Sequence, residues 1–318
     1  MADPQRVSRK NLHMREPMPS SATPSVTEVC LTATHPRHHR SQLLYLASMS
    51  DSPPPGRITM FGLSMDNLTM AETLDRIDGF VESGTVHQHV AVNVDKVVKA
   101  HRDPQLRAII NGCDLISPDG QPLVWASRLL GRPLKERVAG IDLMIGLLAR
   151  AAQHRYRVYF LGARRSVVRD VVARLERDHP DAIVAGARDG YWKPAEEEAV
   201  AAEIAAARPD ILFVAIPSPR KEQFLAAWKD RVSAPFVMGV GGSFDVYGGH
   251  ISRAPRWMRR VGMEWLYRLA KEPGKMWRRY LVDDLAFVPI LVREVWTTRR
   301  SRGRNEVTAT GDRPHGPA

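Results

Sequence analysis

The sequence predicts an α/β fold, a mostly parallel sheet flanked by helices, followed by a basic helical C-terminal appendage. Three observations carry that expectation. From Ile58 to Gly249, short β-rich apolar runs alternate with segments of helical period. Charge is blocked out along the chain: residues 58–252 are neutral, whereas residues 253–304 hold 14 Lys/Arg against 5 Asp/Glu, or +9 of the total +11. Four of the seven tryptophans, Trp257, Trp265, Trp277 and Trp296, fall in that same basic stretch. With 318 residues and 44% hydrophobic content, the chain has enough apolar surface for one substantial core plus an appendage.

Residues 1–57 are rich in Ser, Thr, Pro, His and Arg, show no sustained period, and close on Ser52-Pro53-Pro54-Pro55-Gly56-Arg57. They read as a disordered extension, or as a start assigned too early, with Met49 and Met60 near the onset of order. His35, His38 and His39 fit a solvated basic tail better than a metal site. Residues 58–252 form the α/β domain. Its strands are expected at His89–Val94, Asp114–Ser117, Arg157–Leu161, Ala182–Ala185, Ile211–Ile216 and Phe236–Val240. Helices are expected from Asp142 to Ala152, with Asp142 as N-cap, and from Ser166 to Arg177, where Val167, Val168, Val171, Val172 and Leu175 share a face. Another follows Pro194, over Ala195–Ala207. This alternation predicts Rossmann-like layering, in which ligands bind beyond the carboxyl ends of the strands.

The appendage is assigned to residues 253–300 and a disordered tail to residues 301–318. Trp257, Val261, Trp265 and Leu269 recur every four residues, while many arginines fall elsewhere, which is an interfacial amphipathic pattern. A helix packing its tryptophans on its own core gives the same spacing. Pro273 and Pro289 are expected to divide the region into separate helices. A neutral domain with a basic C-terminal piece points to lipid headgroups, nucleic acid or diphosphates as what that piece meets. Two cysteines, Cys30 and Cys113, make neither a disulfide framework nor a zinc spacing, which suits a reducing cytoplasm. No apolar run reaches 18 residues, so contact with a membrane is expected to be peripheral, on its inner face.

Two polar residues stand at strand ends. Asn93 closes one apolar strand, and Asp119 follows Leu115-Ile116-Ser117-Pro118. Pro-Asp-Gly is a common turn, and a carboxylate there is also well placed as a general base; the residues alone leave both readings open. Gly239-Val240-Gly241-Gly242-Ser243-Phe244-Asp245 follows a strand, as a phosphate cradle or a tight turn would. It lacks the dinucleotide spacing and the Gly-Lys-Ser/Thr ending. Leu161-Gly162-Ala163 ends another strand just before the helix at Ser166, whose N-terminus is suited to a phosphate. Asp-x-Asp, His-Glu-x-x-His and Gly-x-Ser-x-Gly are all missing from the sequence. No cofactor or metal is therefore expected, and the charge of a departing diphosphate would fall to arginines and helix ends.

Seven segments together resemble the WecG/TagA/CpsF family of glycosyltransferases, over about residues 58–280. They are VAVNVDK, DLISPDG, ERVAGIDL, YFLGA, ARDGYW, IPSPRKEQF and GVGGSFDVYGGHISRAPRWMRRVGMEWLYRLAKEP, the last long and rich in rare residues. The resemblance implies an inverting enzyme that moves a sugar of N-acetylmannosamine, glucose or uronic-acid type from a UDP donor to an undecaprenyl-diphosphate-linked saccharide in cell-wall or exopolysaccharide synthesis. It implies Asp119 as general base and Asn93 as active-site asparagine. Arg137, Lys221, Glu222, Gly162, Gly241 and Gly242 are expected to meet substrate, with Arg268, then Arg253, reaching the diphosphate from the appendage. An anionic membrane surface is the further partner expected, a homo-oligomer is compatible, and nucleic acid is not expected. Two positions depart from the family pattern: Ala91, where Thr is frequent, and Lys221, where Gln is frequent. Lys221 reads either as selecting a more anionic donor or acceptor, or as a simple surface lysine. A non-catalytic assembly protein of the same fold, or a basic nucleic-acid-binding module, are the rival readings.

Overall fold

The computed structural model describes residues 56–260, 263–271, 273–278 and 284–310. A short antiparallel hairpin opens the fold, β1 (Arg57–Met60) against β2 (Leu63–Asp66). Helix α1 (Met70–Ser83) follows; its first turn is closed by a reciprocal Thr69–Glu72 capping box. Then come β3 (His87–Val92), α2 (Val94–Arg102), α3 (Pro104–Asn111), β4 (Leu115–Pro118), α4 (Gln121–Leu129), α5 (Gly140–His154) and β5 (Arg157–Gly162). The second half runs α6 (Arg165–Asp178), β6 (Ile183–Arg188), α7 (Glu197–Ala207), β7 (Ile211–Ala215), α8 (Arg220–Val232), β8 (Phe236–Gly239) and α9 (Ser243–Tyr247). The C-terminal region supplies α10 (Arg256–Arg260), α11 (Glu264–Lys271), α12 (Pro273–Arg278) and α13 (Phe287–Thr310).

Strands β3 to β8 form one six-stranded sheet in the order β4-β3-β8-β7-β5-β6, with every neighbouring pair parallel. This is the Rossmann-like α/β architecture expected. All six anticipated strands are present with ends moved by up to three residues, and the hairpin is an addition. The strands are apolar on both faces because helices cover both. Along β5, Val158 and Phe160 pack on the side of α1, α5 and α6, whereas Tyr159 and Leu161 pack on the side of α7 and α8. In β7, Ile211 and Phe213 divide from Leu212 and Val214 in the same way. A third cluster joins the hairpin, β3, α2, α3 and α4 to Phe287 of α13.

Several local expectations change. Asp142 is not an N-cap: α5 begins at Gly140 behind Ala139, and Asp142 lies in its first turn, where its carboxylate takes Arg253. Pro194 opens a 3-10 turn, Pro194–Glu196, ahead of α7. Pro289 does not divide α13, because it lies in the first turn, where an amide hydrogen has no helical partner to lose. That helix continues to Thr310, past the boundary drawn at residue 300. The four-residue tryptophan stripe is not carried by one helix. Trp257 sits on α10 and Leu269 on α11, with non-helical Met263 between them. A spacing of four does not register where a helix stops. Val261, Cys30, the three tail histidines and the rest of residues 1–55 lie outside the described residues.

Candidate active site

Beyond the carboxyl ends of the sheet lies an open cavity of about 1310 Å³. All six strands deliver residues to it just past their last pairing: Asn93 after β3, Asp119 after β4, Ala163 after β5, Gly190 after β6, Ile216 after β7 and Val240 after β8. Convergence of strand ends at one mouth follows from parallel pairing, since every strand points the same way.

Asp119 is held by its own backbone, whose N–H donates to Val92 O at 2.6 Å, fixing the turn after β4 against the end of β3. Its side chain faces the start of α5. A Cβ on Gly140 would lie 3.5 Å from Asp119 Oδ2, so the glycine leaves the carboxylate room beside the positive end of a 15-residue helix. Asn93 stands next to it, 3.8 Å from where a Cβ on Gly120 would lie. Asn93 Oδ1 accepts from the Lys96 N–H at 3.0 Å and caps α2, which leaves the amide nitrogen as its donor end toward the cavity. A carboxylate and an amide donor at adjacent strand tips can take a proton from a hydroxyl and orient its partner.

Three buried charges share one site at the cavity floor; Lys96 and Lys221 line the cavity, whereas Glu222, expected to meet substrate, is buried behind them and is not among the lining residues. Lys96 (6% exposed), Lys221 (5%) and Glu222 (2%) converge, with Glu222 Oε1 at 3.0 Å from Lys96 Nζ and 3.7 Å from Lys221 Nζ. Lys221 is therefore no surface lysine; α8 turns its second residue inward. Burial, reinforced by Lys96, pulls the Lys221 ammonium below the usual lysine range. Burial pushes the Glu222 carboxyl up, but Lys96 and then Lys221 outweigh it and hold it low. His89, beneath them and hydrogen-bonded through Nε2 to Ser117 Oγ, is driven down to about 3 by burial and the two lysines, and is neutral at physiological pH.

Gly241 and Gly242 line the cavity, in the turn after β8, and Gly241 has φ +53°. Gly162 does not line it. At φ +125°, its Cβ would fall 2.4 Å from Ala215 O, so this glycine is required by the close approach of β5 and β7 and not by a ligand. The first turn of α6 also stays outside the cavity, although Ala163 reaches it. Arg137 lines the cavity and lies 3.6 Å from Glu264 of α11, which ties the cavity rim to the appendage. Arg253 is placed otherwise than expected: its Nη2 donates to Asp142 Oδ2 at 2.7 Å, with Arg259 3.6 Å from the same carboxylate, and it is not among the lining residues. Arg268 is on α11, but its side chain lies outside the described residues.

Sequence reasoning missed Lys96, Tyr191, Trp192 and Arg220. Tyr191 is 72% exposed at the cavity rim, and Trp192 is buried, with the Arg220 guanidinium 4.7 Å above its ring and donating to its carbonyl. All four fall inside segments quoted for the resemblance, but no spacing rule marks them, because they meet only when α2, β6 and α8 are assembled.

The sequence model of the glycosyl transferase WecG/TagA/CpsF family matches residues 58–301. Among curated relatives, the chain is 40% identical over 192 residues to an N-acetylglucosaminyldiphosphoundecaprenol N-acetyl-beta-D-mannosaminyltransferase of Bacillus spizizenii, covering 60% of this chain and 74% of that one. It is 36% identical over 190 residues to a protein of the same name from Bacillus subtilis, covering 60% and 73%. The chain thus belongs to the WecG/TagA/CpsF family and is a glycosyltransferase.

Proposed function

We propose that this glycosyltransferase moves a sugar, with inversion, from a UDP-sugar to an undecaprenyl-diphosphate-linked saccharide during cell-wall or exopolysaccharide synthesis. The acceptor class follows the names of the two relatives, which act on N-acetylglucosaminyldiphosphoundecaprenol. The observation that carries the mechanism is Asp119 at the tip of β4, in the same cavity as Asn93 and the buried lysines. An acceptor hydroxyl oxygen attacks the anomeric carbon, its proton passes to the Asp119 carboxylate, and the bond from that carbon to the UDP oxygen breaks on the opposite face. Charge accumulating on UDP is met by cationic side chains and helix ends. Asp119→Asn, which keeps the shape and removes the base, is expected to lower turnover by about 10²–10⁴-fold. A variant that matches the wild type in transfer to a lipid-diphosphate acceptor sinks the assignment and favours a non-catalytic role for the cavity. A donor screen on that acceptor identifies the sugar.

The reading places the enzyme peripherally on the inner membrane face, through its appendage. No helix among the described residues is long and apolar enough to cross a membrane. On α13 and the turn before it, Leu285, Val288, Val292 and Trp296 are exposed at three- and four-residue spacing, with Arg293, Arg299 and Arg300 beside them. Leu285 also lines the cavity, which suits an acceptor whose lipid stays in the bilayer while its saccharide enters.

A further inference from the structure

We propose that Lys221 receives an anionic oxygen of the nucleotide-sugar donor on the cavity floor, either from the diphosphate or from a carboxylate on the donor sugar. The proposal rests on the UDP-sugar reading above. Charge balance is its first support. Lys96, Lys221 and Glu222 are all at least nine-tenths buried, His89 beneath them is neutral, and a single carboxylate serves two ammonium groups. Lys96 holds the nearer position, 3.0 Å from Glu222 Oε1, and also donates to Ala91 O at 2.8 Å. Lys221 stands farther out, at 3.7 Å, and its desolvation is the largest influence on its proton. The group therefore carries a net charge of +1 in a place where water screens little, and an arriving anion neutralises it. Lys99, another lysine lining the cavity, is occupied by Asp95 at 2.9 Å.

Access is the second support. A Cβ on Gly239 would lie 2.6 Å from Lys221 Cδ and Cε, so the lysine stem crosses a residue that has no side chain. Its Nζ comes to 4.0 Å from where a Cβ on Gly241 would be, and Gly242 faces open space. The turn over the ammonium is thus bare backbone, which lets ligand oxygens approach both the turn and Nζ. Lys221 is the second residue of the 13-residue helix α8, and Ser218 just before that helix and Arg220 at its start line the cavity beside it.

The full-length protein is titrated calorimetrically with UDP, UDP-glucose and UDP-glucuronate, as wild type and as Lys221→Gln, in which Glu222 keeps Lys96 as its partner. Loss of a charge-assisted hydrogen bond predicts binding weaker by about 10- to 100-fold. If UDP itself weakens, the oxygen belongs to the diphosphate. If UDP is unchanged and only the preference for UDP-glucuronate over UDP-glucose is lost, it belongs to the sugar carboxylate. Affinities within about twofold of wild type for all three ligands overturn the proposal. Should Lys221→Gln not fold, Lys221→Met, which keeps the volume of the stem, is titrated in its place. A wild type that binds none of the three overturns the donor reading itself, a result separate from bound nucleotides that ignore Lys221.

Discussion

At the scale of single residues, the buried trio makes opposite predictions for its members. Glu222 compensates two ammonium groups, so Glu222→Gln leaves both buried without a counter-charge and is expected to cost about 3–5 kcal/mol in denaturant unfolding. Lys221 is the surplus charge, and Lys221→Met is expected to raise stability near pH 7 by roughly 1–3 kcal/mol while impairing donor binding. Its pH dependence has a definite direction. Burial, then Lys96, lower the Lys221 pKa from the ordinary 10.5 to about 8, so between those values the unfolded chain binds the proton more tightly. The destabilisation is fully present below about pH 8 and is relieved as pH rises toward 10.5. The advantage of Lys221→Met should shrink over that interval, and an advantage that persists at pH 10.5 speaks against the ammonium as its cause. By the same titration, wild-type donor affinity should fall as pH passes about 8, with that fall absent in Lys221→Gln. Lys96, Lys99, Glu222 and the neutral His89 face the same group.

At the scale of elements, the close pairing of β5 with β7 and the double-faced helix α13 are the features most open to test. Gly162→Ala pushes a Cβ into the Ala215 carbonyl at a left-handed φ, and is expected to lower the melting temperature through about 1–3 kcal/mol of strain. Helix α13 has an inner face, where Phe287 packs edge-on to Phe61 at 5.0 Å and Ile290, Leu291 and Val295 join the core, and an outer face of Val288, Val292 and Trp296. Phe287→Ala should therefore cost about 3–5 kcal/mol. Val292→Glu should leave stability within about 0.5 kcal/mol yet weaken sedimentation with anionic vesicles, and a variant that pellets like the wild type removes this face as the anchor. Truncation before Arg253 is a poorer test, because it also strips Phe287 from the core and Arg253 and Arg259 from Asp142.

At the scale of the whole molecule, one sheet with every strand parallel gathers chemistry from segments far apart in the chain. The sequence by itself determined the alternation of strand and helix, the six central strands, the polar residues at two strand tips and the separation of a neutral domain from a basic appendage. These are written in local period and composition, which neighbouring residues settle among themselves. The family was legible for a related reason, since its longest block is contiguous. Only the tertiary structure decided that Gly162 serves strand packing, that Arg253 is paired with Asp142, and that Lys96 and Lys221 meet over Glu222. Each of those facts depends on which elements become neighbours in space, and on whether a charge ends in water or in the interior. Neither is encoded in the spacing of any one segment, because burial and pairing arise when distant surfaces close on one another.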